Sequence, residues 1–181
     1  MAENLSIVGF GYNRDSHDFY PTPPSATEAL FRRETFDGMV WECASGNGSM
    51  SKVIEKYNQC FSSDIRTDEG VYGAKEMNFL QTSLPFPNII TNPPYKLAES
   101  FVYHALDIVT LKVAMFLKLV FLESTSRYKL FRTTPLRTVY VFSKRQTLSP
   151  YGEVTTGGLI AYAWFVWDKS YDGKPMLDWI L

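Results

Sequence analysis

The stretch Ile89-Ile90-Thr91-Asn92-Pro93-Pro94-Tyr95 constrains this chain more than any other. Ile89 to Thr91 is a β-branched run and reads as the end of a buried strand. The two prolines that follow lack an N–H, and each fixes its own φ, so neither sheet nor helix continues. Asn92 precedes a proline and is therefore held toward an extended backbone. The expected product is a stiff platform at a strand's C-terminal edge. It presents one amide side chain, main-chain carbonyls that no local N–H claims, and an aromatic face. These groups suit a planar substrate group that carries an NH2. The Asn92 side-chain oxygen and the Pro93 carbonyl can accept its two hydrogens while the Tyr95 ring stacks on its face.

A chain of 181 residues, 45% hydrophobic and 20% charged, suits one globular domain. No apolar run approaches a membrane span. The start, MAENLSIVGFGYNRD, has none of the marks of a secretory signal. Cys43 and Cys60 fall on predicted strands without metal spacing and read as buried, reduced thiols, which places the chain in the cytoplasm. The net charge of −1 gives no global attraction to nucleic acid, but its distribution is uneven. Between Phe121 and Arg145, the cations Arg127, Lys129, Arg132, Arg137, Lys144 and Arg145 face Glu123 alone. His17 and His104 read as ordinary polar residues, and no metal site is expected.

Residues 1–18 carry no periodic element and read as an irregular lead-in, with one domain over 19–181. Phe19 to Ser25 is a proline-rich turn, and helical spacing starts at Ala26 with Glu28 in the first turn. There Thr22 offers a hydroxyl beside a helix N-terminus, where a carboxylate binds well. Met39 to Ala44 is a short strand that runs into Ser45-Gly46-Asn47-Gly48-Ser49, followed by a helix through about Tyr57. Strand, glycine-rich turn and helix is the context of nucleotide cofactors, with glycines allowing close backbone approach. A strand over Cys60 to Asp64 then ends on a carboxylate roughly 20 residues past the turn, placed for two ribose hydroxyls. Asp68 and Glu69 are rival candidates. Asn78 can read an adenine edge and Phe79 can pack on the ring.

Ser83 to Pro87 reads as a connector. Leu97, Phe101, His104, Ala105 and Ile108 suggest a helix with an inward face. Strands follow over Lys112–Phe121, Arg137–Phe142 and, after Gly157-Gly158, Leu159–Trp167. The tail Met176–Leu181 is left open between packing and fraying. The sum is an α/β sheet of about seven strands, mostly parallel with one late antiparallel strand, and helices on both faces.

Asn92-Pro93-Pro94-Tyr95 resembles motif IV of S-adenosylmethionine-dependent amino-methyltransferases. Thr22-Pro23-Pro24 resembles their motif X, Glu42-Cys43-Ala44-Ser45-Gly46-Asn47-Gly48 their motif I, and Asp64-Ile65 their motif II. Val139 to Arg145 and Tyr162 to Lys169 look like the small phage-type adenine-N6 DNA methyltransferases, and the motif order is that of the gamma arrangement. Two departures stand out: Asn78 replaces a common Asp, and no target-recognition domain follows. The resemblance implies a Rossmann-like class I methyltransferase fold with S-adenosylmethionine as cofactor. It implies cofactor contacts at Tyr20, Thr22, Glu42, Ala44, Gly46, Gly48, Asp64, Asn78, Phe79 and Asn92, with Asn92, Pro93, Pro94 and Tyr95 at the reacting nitrogen. The target base would be extruded from its stack to reach them. The basic residues Arg127, Lys129, Arg132, Lys144 and Arg145 are candidates for DNA phosphates. A protein glutamine or an RNA base presents the same NH2, and a non-catalytic binding relic is a further alternative.

Overall fold

The structure is a computed structural model that describes residues 20–146 and 160–181. The readings of the 1–18 lead-in, Phe19 and Gly157-Gly158 lie outside the described residues. Seven strands form one sheet: β1 Val40–Glu42, β2 Cys60–Ser62, β3 Phe86–Thr91, β4 Val109–Lys118, β5 Leu136–Phe142, β6 Tyr162–Asp168 and β7 Met176–Ile180. Their order is β2-β1-β3-β4-β6-β5-β7. Only β6 runs antiparallel to its neighbours. The expected sheet, mostly parallel with one late antiparallel strand, is therefore the one observed.

Among the described residues, four helices cover it: α1 Pro24–Phe31, α2 Ser51–Ile54, α3 Ala98–Ile108 and α4 Tyr128–Thr133. Side chains of β6 alternate between two cores. Ala163, Phe165 and Trp167 pack under α3 and α4, while Tyr162, Trp164 and Val166 pack under α1 and the Met50–Ile54 segment. A strand buried on both faces reads as an unbroken apolar run, which is why this segment is so aromatic. Each buried indole N–H has an acceptor: Trp41 donates to the Ser63 hydroxyl at 2.8 Å, Trp164 to the Ala26 carbonyl at 2.8 Å, and Trp167 to the Thr134 hydroxyl at 3.1 Å. Left unpaired, each would cost about 1–3 kcal/mol.

Several boundaries differ from the sequence reading. The helix expected through Tyr57 ends at Ile54 because the bonding tightens to i→i−3, with Lys56 N donating to Val53 and Tyr57 N to Ile54. Tyr57 is drawn out to stack on Phe31 at 4.4 Å and to donate to Glu28. Glu28 accordingly bridges α1 to this segment and serves no helix end, since α1 starts at Pro24 and has no acid in its first turn. The connector Ser83–Pro87 is in part strand: β3 begins at Phe86, and Pro87 sits where the β3–β4 register shifts, so its missing N–H costs no ladder bond. The strand expected to reach Phe121 stops at Lys118 and turns into a 3-10 segment over Leu119–Leu122. On α3, Ala98, Phe101, Val102, Ala105 and Leu106 face inward, whereas Leu97 is 44% exposed and lies before the helix. Of the two fates left open for the tail, packing is the one observed: it forms β7, parallel to β5 at the sheet edge.

At the N-terminal ends of β4 and β5, buried Glu34 accepts from Lys112 Nζ at 2.9 Å, Tyr140 Oη at 2.7 Å and Arg137 Nη1 at 3.4 Å. Burial, then the Glu34 carboxylate, push the Tyr140 phenol up to about 12. This network ties α1 to the sheet at the end opposite the strand C-termini. No described helix is long and apolar enough to cross a membrane.

Candidate active site

β1 continues sideways into β2 in one direction, while β3 lies on its other flank, so the strand order reverses between β1 and β3. Open α/β sheets bind ligands in the crevice at such a reversal, outside the strands' carboxyl ends. A cleft of about 940 Å³, counted to its open mouth, occupies that place. It is lined by Tyr20, Thr22, Glu42, Ala44, Asp64 and Asn78, and further by Phe79, Asn92, Pro93, Pro94 and Tyr95. Eleven of the residues singled out from sequence thus meet in one place. Gly46 and Gly48 do not line it.

Glu42 ends β1 at the cleft floor and is 1% exposed. Its Oε1 accepts from the Thr91 hydroxyl at 2.6 Å and from Ala44 N at 3.1 Å. Burial outweighs both bonds and raises its carboxyl to about 8. A buried acid in that state gains most from a cation that enters the cleft and restores its charge. Thr91 was not singled out from sequence. Its position one residue before Asn92, inward on β3, was the available signal.

Asp64, the residue expected at the ribose, lines the cleft and also holds backbone. Its Oδ2 accepts from Gly46 N at 2.8 Å and its Oδ1 from Arg66 N at 2.9 Å. Both oxygens pin backbone, and each retains capacity to accept a second hydrogen bond. The rivals fall away from the site: Asp68 is held by Arg66 and Glu69 by Lys75, and neither lines the cleft. Arg66 does line it, unforeseen from sequence.

The glycines shape the loop itself. Gly46 and Gly48 take φ of 51° and 79°, the left-handed region. A Cβ on Gly48 would stand 2.4 Å from Tyr72 Cγ, so the missing side chain makes room for that ring. The cleft wall here is Ala44, Ser45, Asn47, Ser49 and Met50. Asn78 Oδ1 accepts from Leu80 N at 3.1 Å and so caps the Phe79–Gln81 turn. Phe79 is 2% exposed and packs against Trp41 and Phe101 as well as facing the cleft.

Asn92 Nδ2 donates to the Tyr20 carbonyl at 3.2 Å and to the Thr22 hydroxyl at 3.0 Å. A carbonyl only accepts, so the contacting atom is the amide nitrogen and the orientation is fixed. Asn92 Oδ1 is buried without a partner among the described residues. The Pro94 carbonyl, in contrast, is claimed by Leu97 N at 2.9 Å, so not every carbonyl of the platform stays open. The Tyr95 ring lies 6.5 Å from that of Tyr20 at 24°, its hydroxyl donates to Tyr162 Oη at 3.4 Å, and Lys118 Nζ stands 4.0 Å over its face. Lys118, at the end of β4, was not foreseen.

The helix N-terminus beside Thr22 is poorer in donors than expected. Pro23 and Pro24 have no N–H, and Ala26 N is spent on the Pro23 carbonyl. The basic run is also divided. Arg137, at the start of β5, pairs with Glu34 and Asp168, while Lys144 and Arg145 are exposed just past its other end, on the cleft's rim of the sheet. Arg127 spends its guanidinium on the Phe121, Val120 and Glu123 carbonyls. Lys129 and Arg132 are exposed on α4. Among the described residues no three His, Cys, Asp or Glu side chains are placed to hold a metal ion.

No protein-family model and no curated protein sequence matches the chain. Solved structures do match it. The magnesium protoporphyrin IX methyltransferase of Synechocystis PCC 6803 with bound SAM is 13% identical, over 81% of this chain and 77% of that one, with a TM-score of 0.55. The Mtq2–Trm112 complex of E. cuniculi, responsible for methylation of the translation termination factor eRF1, is 16% identical over 81% and 93%, with a TM-score of 0.55. A dimethyladenosine transferase from Plasmodium falciparum is 12% identical over 82% and 62%, with a TM-score of 0.56. The fold is that of a Rossmann-like methyltransferase. These neighbours act on a porphyrin, a protein and an adenosine, so the shared fold leaves the substrate to be argued from the cleft.

Proposed function

We propose that the chain is an S-adenosylmethionine-dependent methyltransferase that modifies the exocyclic N6 of adenine in DNA. The observation that carries this reading is the state of Asn92. Its amide is held from behind by two acceptors, and its Oδ1 is a buried acceptor awaiting a donor in the cleft that also contains Glu42. An NH2 group supplies such a donor.

The cleft residues fit the cofactor on the same grounds. Glu42, an acid made reluctant to ionise by burial, would hold the ammonium end. Asp64 and Asn78, which line the same cleft, would meet the ribose and the adenine, with Phe79 against the ring. Thr22 would donate to the carboxylate. When bound, S-adenosylmethionine supplies an electrophilic methyl group on a sulfonium. The chain's own contribution is placement. Asn92 Oδ1 and the Pro93 carbonyl accept the two N6 hydrogens and draw the nitrogen lone pair out of conjugation with the ring. The Tyr95 face holds the base in line for transfer, and such orientation lowers a barrier without covalent help. The nitrogen becomes cationic as it gains the methyl group, and one of its protons then passes to solvent.

A nucleobase is favoured over a glutamine amide by the near-parallel Tyr20 and Tyr95 rings at the platform and by Lys144 and Arg145 on the same rim. Incubation with labelled cofactor and, in parallel, DNA, RNA and release-factor protein tests the reading. Label in the N6 position of DNA adenine is the expected result. Label confined to RNA or to a protein glutamine overturns the DNA assignment, and label nowhere overturns the activity.

A further inference from the structure

Thr22 sits in the proline-rich entrance to α1, where the resemblance gives it one task, gripping the cofactor's carboxylate. Its position says more. It is 4% exposed, and its hydroxyl accepts from Asn92 Nδ2 across 70 residues of sequence. An asparagine amide has two nearly isosteric ends, one a double donor and one an acceptor. Only the acceptor end can meet an NH2, because the other would set donor against donor. Something must therefore choose the orientation. The Tyr20 carbonyl, which can only accept, makes the choice, and the Thr22 hydroxyl takes the other Nδ2 hydrogen and holds the amide in that orientation. With both Nδ2 hydrogens engaged, Oδ1 is left as the end of the amide without a partner among the described residues.

We infer that Thr22 is a positioning residue for methyl transfer, acting through Asn92 by holding its amide the productive way round. The inference rests on the adenine-N6 reading above for its kinetic consequence, but not for the lock itself. A hydroxyl that accepts still has a proton to donate. Thr22 can thus hold the carboxylate and the amide at once, and the two tasks separate by measurement. A carboxylate grip alone shows in cofactor affinity. The lock shows in turnover at saturating cofactor and in the Asn92 amide itself.

The test compares Thr22→Val, which keeps shape and loses the hydroxyl, with Thr22→Ser, which keeps the hydroxyl. The first measurement is the hydrogen exchange of the Asn92 side-chain amide in protein labelled with 15N on asparagine, the signal being assigned by its loss in Asn92→Ala. Slow exchange in the wild type, faster exchange in Thr22→Val and recovery in Thr22→Ser are expected. The second is kcat at saturating cofactor and DNA. A fall of about three- to tenfold in Thr22→Val, the worth of one hydrogen bond, is expected, with most of it regained in Thr22→Ser. Unchanged amide exchange in Thr22→Val overturns the lock. So does a Thr22→Val enzyme that binds cofactor more weakly yet turns over at the wild-type kcat. Should Thr22→Val not fold, Thr22→Ala against Thr22→Ser reads the same difference. Should the wild type methylate nothing, the functional reading fails, and amide exchange alone still decides whether Thr22 orients Asn92.

Discussion

Asn92 Nδ2 lies 3.0 Å from the Thr22 hydroxyl, a hydrogen bond that joins the segment entering α1 to the segment leaving β3 at the rim of the sheet. The donor is the part of Asn92 that an aspartate lacks. Asn92→Asp should therefore destabilise this chain. The Tyr20 carbonyl, 3.2 Å away, would face a carboxylate in place of its donor. A loss of about 1–3 kcal/mol in urea unfolding is expected. Stability equal to wild type would show that the bond adds nothing.

Glu42 should make both stability and cofactor affinity depend on pH. Its folded value of about 8 lies above its ordinary 4.5. Between those values the folded chain binds more protons than the unfolded chain, so stability falls as pH rises through that window. Glu42→Gln should flatten the fall, read as melting temperature against pH. Affinity for a cofactor with an ammonium group should rise toward pH 8 in the wild type, as less of the binding energy is used to ionise Glu42. In Glu42→Gln it should be weaker and nearly independent of pH. Calorimetric titration across pH 6–8 checks this, and matching slopes in the two proteins would refute it.

Gly48 should tolerate no side chain. Gly48→Ala meets both a φ of 79° and the Tyr72 ring. Each problem costs about 1–3 kcal/mol. Urea unfolding should show a lower midpoint with an unchanged slope. Tyr72→Ala in the same chain should recover the clash and not the backbone strain. A Gly48→Ala protein within about 0.5 kcal/mol of wild type, the size of an ordinary surface change, would contradict the account.

Lys144 and Arg145 should act on DNA, and Arg137 on stability. Reversing the charges of Lys144 and Arg145 should weaken DNA binding and reduce the dependence of log affinity on log salt by about two, near one per lost phosphate contact. Fluorescence anisotropy across a salt series measures this. Arg137→Glu would set an acid against Glu34 and Asp168 and should lower the melting temperature. Unchanged DNA affinity after reversal at Lys144 and Arg145 would remove them from the interface.

Some of this was legible in the sequence for definite reasons. Strands buried on both faces, such as Tyr162–Asp168, leave apolar runs that no surface segment imitates. The proline pair after Thr91 announces where β3 ends. Because these markers fall at strand carboxyl ends, the cleft residues assemble once the sheet is correct. What stayed hidden depends on partners distant in sequence. Met176–Ile180 is a strand because β5 offers it an edge. Asp64 faces backbone N–H groups that only the folded turn supplies. The room Gly48 leaves is taken by Tyr72, 24 residues away in sequence. A run of cations along β5 looks like one patch in sequence, but a strand rises about 3.3 Å per residue and carries its two ends to opposite sides of the sheet.

Long-read sequencing of DNA from cells that express the wild-type chain or Asn92→Ala tests the central claim most directly. The account predicts N6-methyladenine in the wild-type sample, in a sequence context the reads themselves define, and none above background with Asn92→Ala. Equal methylation in both samples, or none from a folded, cofactor-competent wild type, would contradict it.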